Sequence, residues 1–364
     1  MKKIIFFAYD LGLGGIETAL INLLNNIDYT KYDVTLVLEK KKGMFLNEVN
    51  KNVHIKKYHI FSCKIVPLRK ILNLTRRCIW ATFNKNKYDF SCAYATYSMM
   101  GCKLSKIASA NSSIYIHGDY ANMYSKNDLI YFFNKRGIND FKNIFFVSNE
   151  AKDNLIKYFP SILKKSIVAN NFIDSKKILE LANKITIKKN HNTLFVYVGR
   201  LDEEAKRISK MLKLIKNLKE KYSIELWLVG DGKDANKYRE YIEKNNLADS
   251  IKMLGVQKNP YPYMKQADYI LMTSDYEGFP VTYLEAATLG KKIITTLDRS
   301  DESITISKTI GHIISKNEKQ MTKEVEKILN NDELKYQTIN LEKLQNERMK
   351  MLEKIFDGDD DEEI

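Results

Sequence analysis

The stretch from Ser274 to Gly290, SDYEGFPVTYLEAATLG, carries two carboxylates eight positions apart, Glu277 and Glu285. Glu277 sits in a turn at the carboxyl end of the strand-like run YILMTS. The backbone N–H groups of Gly278, Phe279 and Val281, with Pro280 among them, then open a helix, and such groups meet an anion or a hydroxyl. Pro280 fits the first helical position and Gly290 the stop. On a period of 3.6 residues Val281, Leu284 and Thr288 share one face, and Glu285 falls at the edge of that apolar stripe. A buried carboxylate requires a partner. A ribose diol would satisfy it with two hydroxyls; a salt bridge to a nearby Lys or Arg is the structural alternative. For Glu277 the alternative is an acid on a surface turn.

The run YVGRLDEEAKRIS places Arg200 directly after a strand and Lys206 six residues on. Two fixed cations at one sheet end suit a diphosphate, whose charge grows as a leaving group departs. Solvated cations at a helix start are the alternative, and Arg207 competes with Lys206 for the role. LVGDG supplies another strand-end turn, in which Gly230 and Gly232 allow close backbone approach. Near the start, LGLGGIETAL follows the first strand. It is not the dinucleotide fingerprint, because Glu17 stands where the third glycine belongs, and Glu39 is the lone candidate for a ribose-binding acid. Gly14 and Gly15 still leave room for a phosphate or sugar. IYIHGDY sets His117 at a strand end; a lone histidine is as readily structural as functional.

These residues need a scaffold that gathers strand ends. The chain has 364 residues, which suits two domains. Its hydrophobic fraction of 44% is enough for packed cores. The cysteines Cys63, Cys78, Cys92 and Cys102 form no CxxC pair, so a disulfide framework or a metal site is not expected, and a reducing cytosol fits. MKKIIFFAYD reads as a buried first strand rather than a signal peptide, and no segment has the roughly 18 uncharged apolar residues of a spanning helix. The net charge of +14 admits nucleic acid or an anionic membrane as partner, or simply a Lys-rich surface.

Continuous apolar runs predict strands at 3–8, 34–39, 53–58, 90–95, 113–117, 144–147 and 166–169, buried on both faces of a parallel sheet. Amphipathic patterns predict helices at 15–26, 67–84, 126–139 and 150–158. The polar segment 174–192 breaks the rhythm and marks a domain junction. Five further strand-like runs follow: TLFVYVGR, IELWLVGDG, IKMLGV, YILMTS and KKIITTL. Two successive βαβ domains account for this α/β pattern, with ligands beyond the carboxyl ends of the strands. A last helix near 341–356 precedes the acidic tail DGDDDEEI, expected to be disordered.

The ordered blocks of this chain resemble the retaining glycosyltransferases of the GT-B fold, family 4. YEGFPVTYLEA resembles that family's E-x7-E signature and VGRLDEEAK its Arg and Lys pair. LGLGGIETAL, FVSNEAKDNL, NNFID, LVGDG and LGVQKNPYPYMKQADYILMTSDYEGFP follow in the family's order, over nearly the whole chain. The resemblance implies two Rossmann-like domains facing a deep cleft. Residues 1–174 would form an acceptor-binding domain, joined by a crossover helix at 341–357. Residues 175–340 would bind the nucleotide-sugar donor, and 358–364 would be the tail. Glu285 would hold the donor ribose and Glu277 the donor sugar. Arg200 and Lys206 would bind the diphosphate, and His117 would sit near the reacting sugar. Gly14 and Gly15 would give room, and Met253 to Gln257, with Leu254 and Val256, would hold the base through their backbone. Asn171 and Asp174 match an NGVD-type block in which Phe172 replaces the usual glycine. The resemblance implies front-face substitution with no metal and no other cofactor; the only DxD pattern lies in the tail.

The segment PLRKILNLTRRCIWATFN carries Arg69, Lys70, Arg76 and Arg77 with no acid, beside Leu68, Ile71, Leu72, Ile79 and Trp80. Such a helix can lie on anionic lipid; a core helix with a basic outer face is the alternative. The reading is a cytoplasmic, metal-independent hexosyltransferase, peripheral on the inner face of the membrane. It would move a hexose or N-acetylhexosamine from a UDP-sugar to a glycan acceptor, lipid-linked, in capsule or other surface polysaccharide biosynthesis. A GT-B-fold sugar-nucleotide 2-epimerase is the near alternative and a basic nucleic-acid-binding protein the distant one. Scattered tyrosines argue against nucleic acid.

Overall fold

The apolar runs form two parallel sheets in the computed structural model, which describes residues 1–12, 14–297 and 309–359. The chain divides into two units, Met1–Ile173 with Gln345–Ile364, and Asp174–Leu344. The first unit holds β1 (Lys2–Ala8), β2 (Tyr32–Leu38), β3 (His54–Lys57), β4 (Phe90–Ala93), β5 (Ser112–Ile116), β6 (Asn143–Phe146) and β7 (Ser166–Val168). Their order is β3-β2-β1-β4-β5-β6-β7. The second holds β8 (Thr193–Val198), β9 (Ile224–Val229), β10 (Ile251–Gly255), β11 (Tyr269–Met272), β12 (Lys292–Thr295) and β13 (Gly311–Ile313), in the order β10-β9-β8-β11-β12-β13. All the pairings are parallel, and β9 is buried at every residue, as a strand covered by helices on both faces must be.

In each sheet the order reverses beside the first strand, between β1 and β4 and between β8 and β11. Loops diverge there, which opens a crevice at the carboxyl ends. The helix Ile208–Leu218 shows how the second core closes. It buries Ile208, Met211, Leu212 and Ile215, one stripe at helical spacing, against β8 and β9. Cutting Leu212 to Ala there should cost about 2–5 kcal/mol.

Several boundaries differ from the sequence expectation. The helix Met99–Ala108, capped by the Ser98 hydroxyl, was not expected, nor was the short edge strand β13. The polar junction 174–192 contains a helix, Ser175–Ala182, which Asp174 caps and which buries Ile178 and Ala182. Pro280 is the N-cap rather than the first helical residue, so that helix runs Val281–Thr288. Gly290 follows it with φ +63, the left-handed turn at which glycine carries no steric cost.

The last helix spans Leu341–Asp357, and from Gln345 onward the chain belongs to the first unit. Phe356 packs among Phe6, Tyr32 and Phe90, and Lys2 pairs with Asp357 at 3.0 Å. Arg348 donates to the Asn171 carbonyl at 3.0 Å and to the Asn170 amide oxygen at 2.8 Å, and lies over the buried Phe172 ring. Phe172 therefore works as a packing anchor at the position where the NGVD-type block has its glycine. Of the acidic tail 358–364, residues 360–364 lie outside the described residues.

Candidate active site

In the second unit the loops after β8 and β11 are tied to each other. The Asp275 N–H donates to the Ala205 carbonyl at 2.9 Å, and the Thr273 hydroxyl donates to the Arg207 carbonyl at 3.0 Å. Between these ties, Lys206 Nζ and Glu277 Oε1 form an ion pair in which both side chains are largely buried. The Ser274 hydroxyl donates to the same Glu277 oxygen at 2.7 Å. Glu277 Oε2 has no partner among the described residues, and an ammonium has further N–H donors to give. Two residues expected to act separately on a ligand thus meet each other, with capacity left on both.

Arg207 does not compete with Lys206. It takes a left-handed conformation, φ +51, and pairs with Asp275, which also accepts from Lys210 at 2.9 Å. Burial raises the Asp275 carboxyl, but the hydrogen bonds from Lys210 and Arg207 outweigh it and the net shift is downward. Arg200, by contrast, keeps 70% of its side chain exposed, with Asp202 at 3.8 Å as a loose neighbour. It is the available cation of this loop.

Glu285 lies on the helix Val281–Thr288, among that helix's buried residues, and is only 8% exposed. Its sole partner among the described residues is the Tyr261 hydroxyl, which donates to Oε1 at 3.2 Å. Burial pushes its carboxyl up to about 7, against the small opposing pull of that hydroxyl. The other buried glutamate among the described residues of this unit, Glu225, shows what a satisfied acid looks like. It accepts from Lys252 at 2.5 Å, from the Trp227 indole at 2.7 Å and from the Asn190 N–H at 3.0 Å. Burial raises Glu225 too, yet these partners bring it below the ordinary value. Glu285 lacks such a set, and the salt-bridge alternative for it does not hold among the described residues.

The remaining expected residues fall as follows. A Cβ at Gly230 would collide with the Gly199 carbonyl, and one at Gly232 with Leu201, so both glycines are required by the chain's own packing. The Leu254 carbonyl accepts from the Gln257 amide at 2.7 Å, Gly255 turns at φ +67, and Val256 is half exposed. Gly278, Phe279, Pro280 and Val281 are buried, and their helix start has no side-chain cap.

The first unit has its own strand-end cluster. Gly14 precedes the helix Gly15–Asn26, again without a side-chain cap. His117 follows β5, its ring stacked on Tyr115 and tilted against Tyr94, each at 4.5 Å between centroids. Neither ring nitrogen has a hydrogen-bond partner among the described residues. Burial pushes its pKa down to about 3; Asn171 and the Tyr94 backbone oppose this without reaching hydrogen-bond geometry at the ring. His117 is therefore neutral near pH 7 and can give or take one hydrogen bond.

Sequence reasoning missed Tyr261, Ser274 and Asp275, and in the first unit Tyr9 and Tyr97. The Tyr97 hydroxyl donates to Glu17 at 2.8 Å, and Tyr9 packs edge-on against Tyr97. Ser274 could have been found, since its three-residue offset from Glu277 is a local turn spacing. Tyr261 lies on a different helix and left no local signal. Arg69, Lys70, Arg76 and Arg77 sit together on the helix Val66–Asn84. Among the described residues no group of three or more His, Cys, Asp or Glu side chains is placed to hold a metal ion, and no helix is long and apolar enough to cross a membrane.

Residues 180–344 match the family model described as Glycosyl transferases group 1. An uncharacterised glycosyltransferase of Methanocaldococcus jannaschii is 32% identical over 155 residues, 41% of this chain and 38% of the relative. The chain thus matches about two-fifths of that relative's length. An N-acetylgalactosaminyltransferase of Campylobacter jejuni, named for a diphospho-undecaprenol substrate, is 23% identical over 82% of each chain. Among solved structures, Anabaena HepE in complex with UDP-glucose superposes with a TM-score of 0.74, at 15% identity, over 97% of this chain and 100% of its own. The fold is that of the GT-B glycosyltransferases, two parallel-sheet α/β units in one chain.

Proposed function

We propose that the chain is a retaining glycosyltransferase. It moves a hexose or N-acetylhexosamine from a UDP-sugar to a lipid-linked glycan acceptor, in the making of a surface polysaccharide. The observation that carries this reading is Glu285, a buried carboxylate at a strand-end site with one hydroxyl for a partner. A ribose diol supplies the hydrogen-bond donors it lacks, and Glu225 shows that the fold satisfies a buried acid from within when nothing else is required. The group 1 match over residues 180–344 and the UDP-glucose complex of the structurally similar HepE support a nucleotide sugar in this unit.

In the proposed reaction Arg200 and Lys206 hold the diphosphate. Lys206 keeps Glu277 as counter-ion while donating to phosphate, and Glu277 Oε2 accepts from a hydroxyl of the donor sugar. The bond from the anomeric carbon to the phosphate oxygen breaks, with its electron pair going to that oxygen. The acceptor hydroxyl attacks from the same face and gives its proton to the departing oxygen, so the configuration is kept. The two cations meet the growing phosphate charge, so no divalent ion is invoked. His117, neutral near pH 7, would serve as a hydrogen-bonding group rather than as an acid.

The test is a panel of UDP-, GDP- and ADP-sugars, first by thermal shift and then by product analysis with a lipid-diphosphate-linked acceptor. The expected result is UDP release coupled to a product with the donor's anomeric configuration, unchanged by a chelator. Consumption of donor without acceptor, yielding an epimer, would move the assignment to the epimerases.

A further inference from the structure

Helices on a soluble core normally turn their apolar stripe inward. The helix Val66–Asn84 does the reverse: it has no buried residue along its length. Ile71, Ile79 and Phe83 are 60%, 56% and 72% exposed, and Leu68 and Leu74 lie exposed with them. Advancing about 100° per residue, these five side chains share the outward half of the helix. The side that meets the first unit is small and mixed. Trp80 packs edge-on against Phe7 and Tyr58, and Asn73 bonds the Phe61 backbone in both directions, at 2.9 and 3.0 Å. The helix is thus anchored along one edge with its apolar face uncovered.

Cations border that face on both sides, Lys70 and Arg77 along one margin and Arg69 and Arg76 along the other. Arg76 is steadied over the Tyr58 and Phe61 rings. Between residues 51 and 88 the sequence has ten Lys and Arg and no Asp or Glu, so nothing in this segment neutralises them. The positive field continues onto the neighbouring helices. Burial lowers the Lys103 ammonium, and Arg77, Lys135 and Lys106 lower it further by repulsion.

We propose that this helix docks the chain on an anionic phospholipid surface, its outward apolar stripe seated at the acyl boundary and its bordering cations on the lipid phosphates. Charge decides the occupant. A second copy of the chain laid on the same face would set cation against cation, whereas anionic headgroups complement them. Long Lys and Arg stems reach up to phosphates while the stripe between them sinks. The docking stands apart from the transfer reaction, since it needs neither donor nor acceptor.

The test is co-flotation of the full chain with vesicles at 150 mM salt, a concentration at which exposed charges more than about 8 Å apart are largely screened. Vesicles of phosphatidylcholine alone are compared with phosphatidylcholine containing phosphatidylglycerol. Binding is expected to the anionic vesicles and at least tenfold weaker to the neutral ones. Each cation removed should cost roughly fivefold, so Arg69→Gln/Lys70→Gln/Arg77→Gln should bind about a hundredfold more weakly. Ile71→Ser/Leu74→Ser, both exposed positions, should lose at least tenfold with all charges kept. Retained circular dichroism confirms the fold of each variant. Equal binding to both vesicle types, or variants that bind like the parent, would overturn the proposal. So would a concentration-dependent dimer that Ile71→Ser/Leu74→Ser dissolves while no vesicle binds. A failure here would leave the transferase reading intact, because the assay contains no sugar nucleotide.

Discussion

The two sheets are wound alike and furnished differently. Numbered from its own first strand, each runs third, second, first, fourth, fifth, sixth, with a seventh strand added at the far edge of the first sheet, so each has its switch point in the same place. In the second unit that place holds ion pairs, Lys206 with Glu277 and Arg207 with Asp275, and an exposed Arg200. In the first it holds rings, with Tyr9 against Tyr97 and His117 on Tyr115, and the carboxylate of Glu17. The scaffold chooses where a ligand sits; the side chains choose which ligand. A diphosphate suits the charged end. A neutral sugar, with hydroxyls for acids and a flat face for rings, suits the aromatic one.

The contrast is sharpest in turnover. If Lys206 meets the departing phosphate as proposed, Lys206→Ala should lower kcat by about 10²–10³-fold. It also leaves the largely buried Glu277 without its counter-ion and should lower the melting temperature, so kcat is read where circular dichroism shows the variant folded. Arg200→Ala should follow it. A kcat within a few-fold of the parent for both would remove the charged end from the reaction.

A smaller effect separates the units by stability. Asp332 accepts from Lys292 at 2.8 Å, Tyr269 at 2.7 Å and His312 at 3.0 Å, joining the edge of the second sheet. Burial opposes ionisation, but these bonds and the Leu334 N–H outweigh it and hold the carboxyl at about 2. Its stabilisation is therefore complete above its ordinary value near 4 and is lost as pH falls through about 2. Asp332→Asn should cost the second unit about 2 kcal/mol at pH 7 and leave the first unit unchanged. Hydrogen exchange resolves the two; equal loss of protection in both sheets would contradict it.

The smallest effect probes the aromatic end. Tyr97→Ala should raise the acceptor KM about tenfold while leaving the donor KM within twofold. A donor KM that moves as much as the acceptor KM would dissolve the division of labour.

Much of this was legible in the sequence where a signal is local. Continuous apolar runs gave up the central strands of both sheets, and the eight-residue spacing singled out Glu277 and Glu285. Elements whose burial rests on few residues stayed hidden. Ile178 and Ala182 alone sink the helix Ser175–Ala182 beneath its lysines, and β13 is three residues long. Pairings across the fold leave no trace in order. Lys206 and Glu277 are 71 positions apart, and Tyr261 reaches Glu285 from another helix. Periodicity found the stripe of the helix Val66–Asn84 but could not say that it faces outward, because a period fixes a face and not its direction.

The account rests on Glu285 serving a ligand, and the direct measurement is UDP affinity by calorimetry from pH 5 to pH 8. Without ligand the raised carboxyl makes Glu285 neutral at low pH, so its burial costs nothing below about 4.5 and destabilises increasingly as pH rises through about 7. If the carboxylate form grips the ribose diol, UDP binding releases a proton below pH 7. The affinity should then fall by up to tenfold for each unit of pH below about 7, beyond the dependence that UDP's own terminal phosphate contributes at about pH 6, and Glu285→Gln should bind weakly with the phosphate's slope alone. A parent chain whose UDP affinity follows the same pH dependence as the Gln variant across that range would contradict the account.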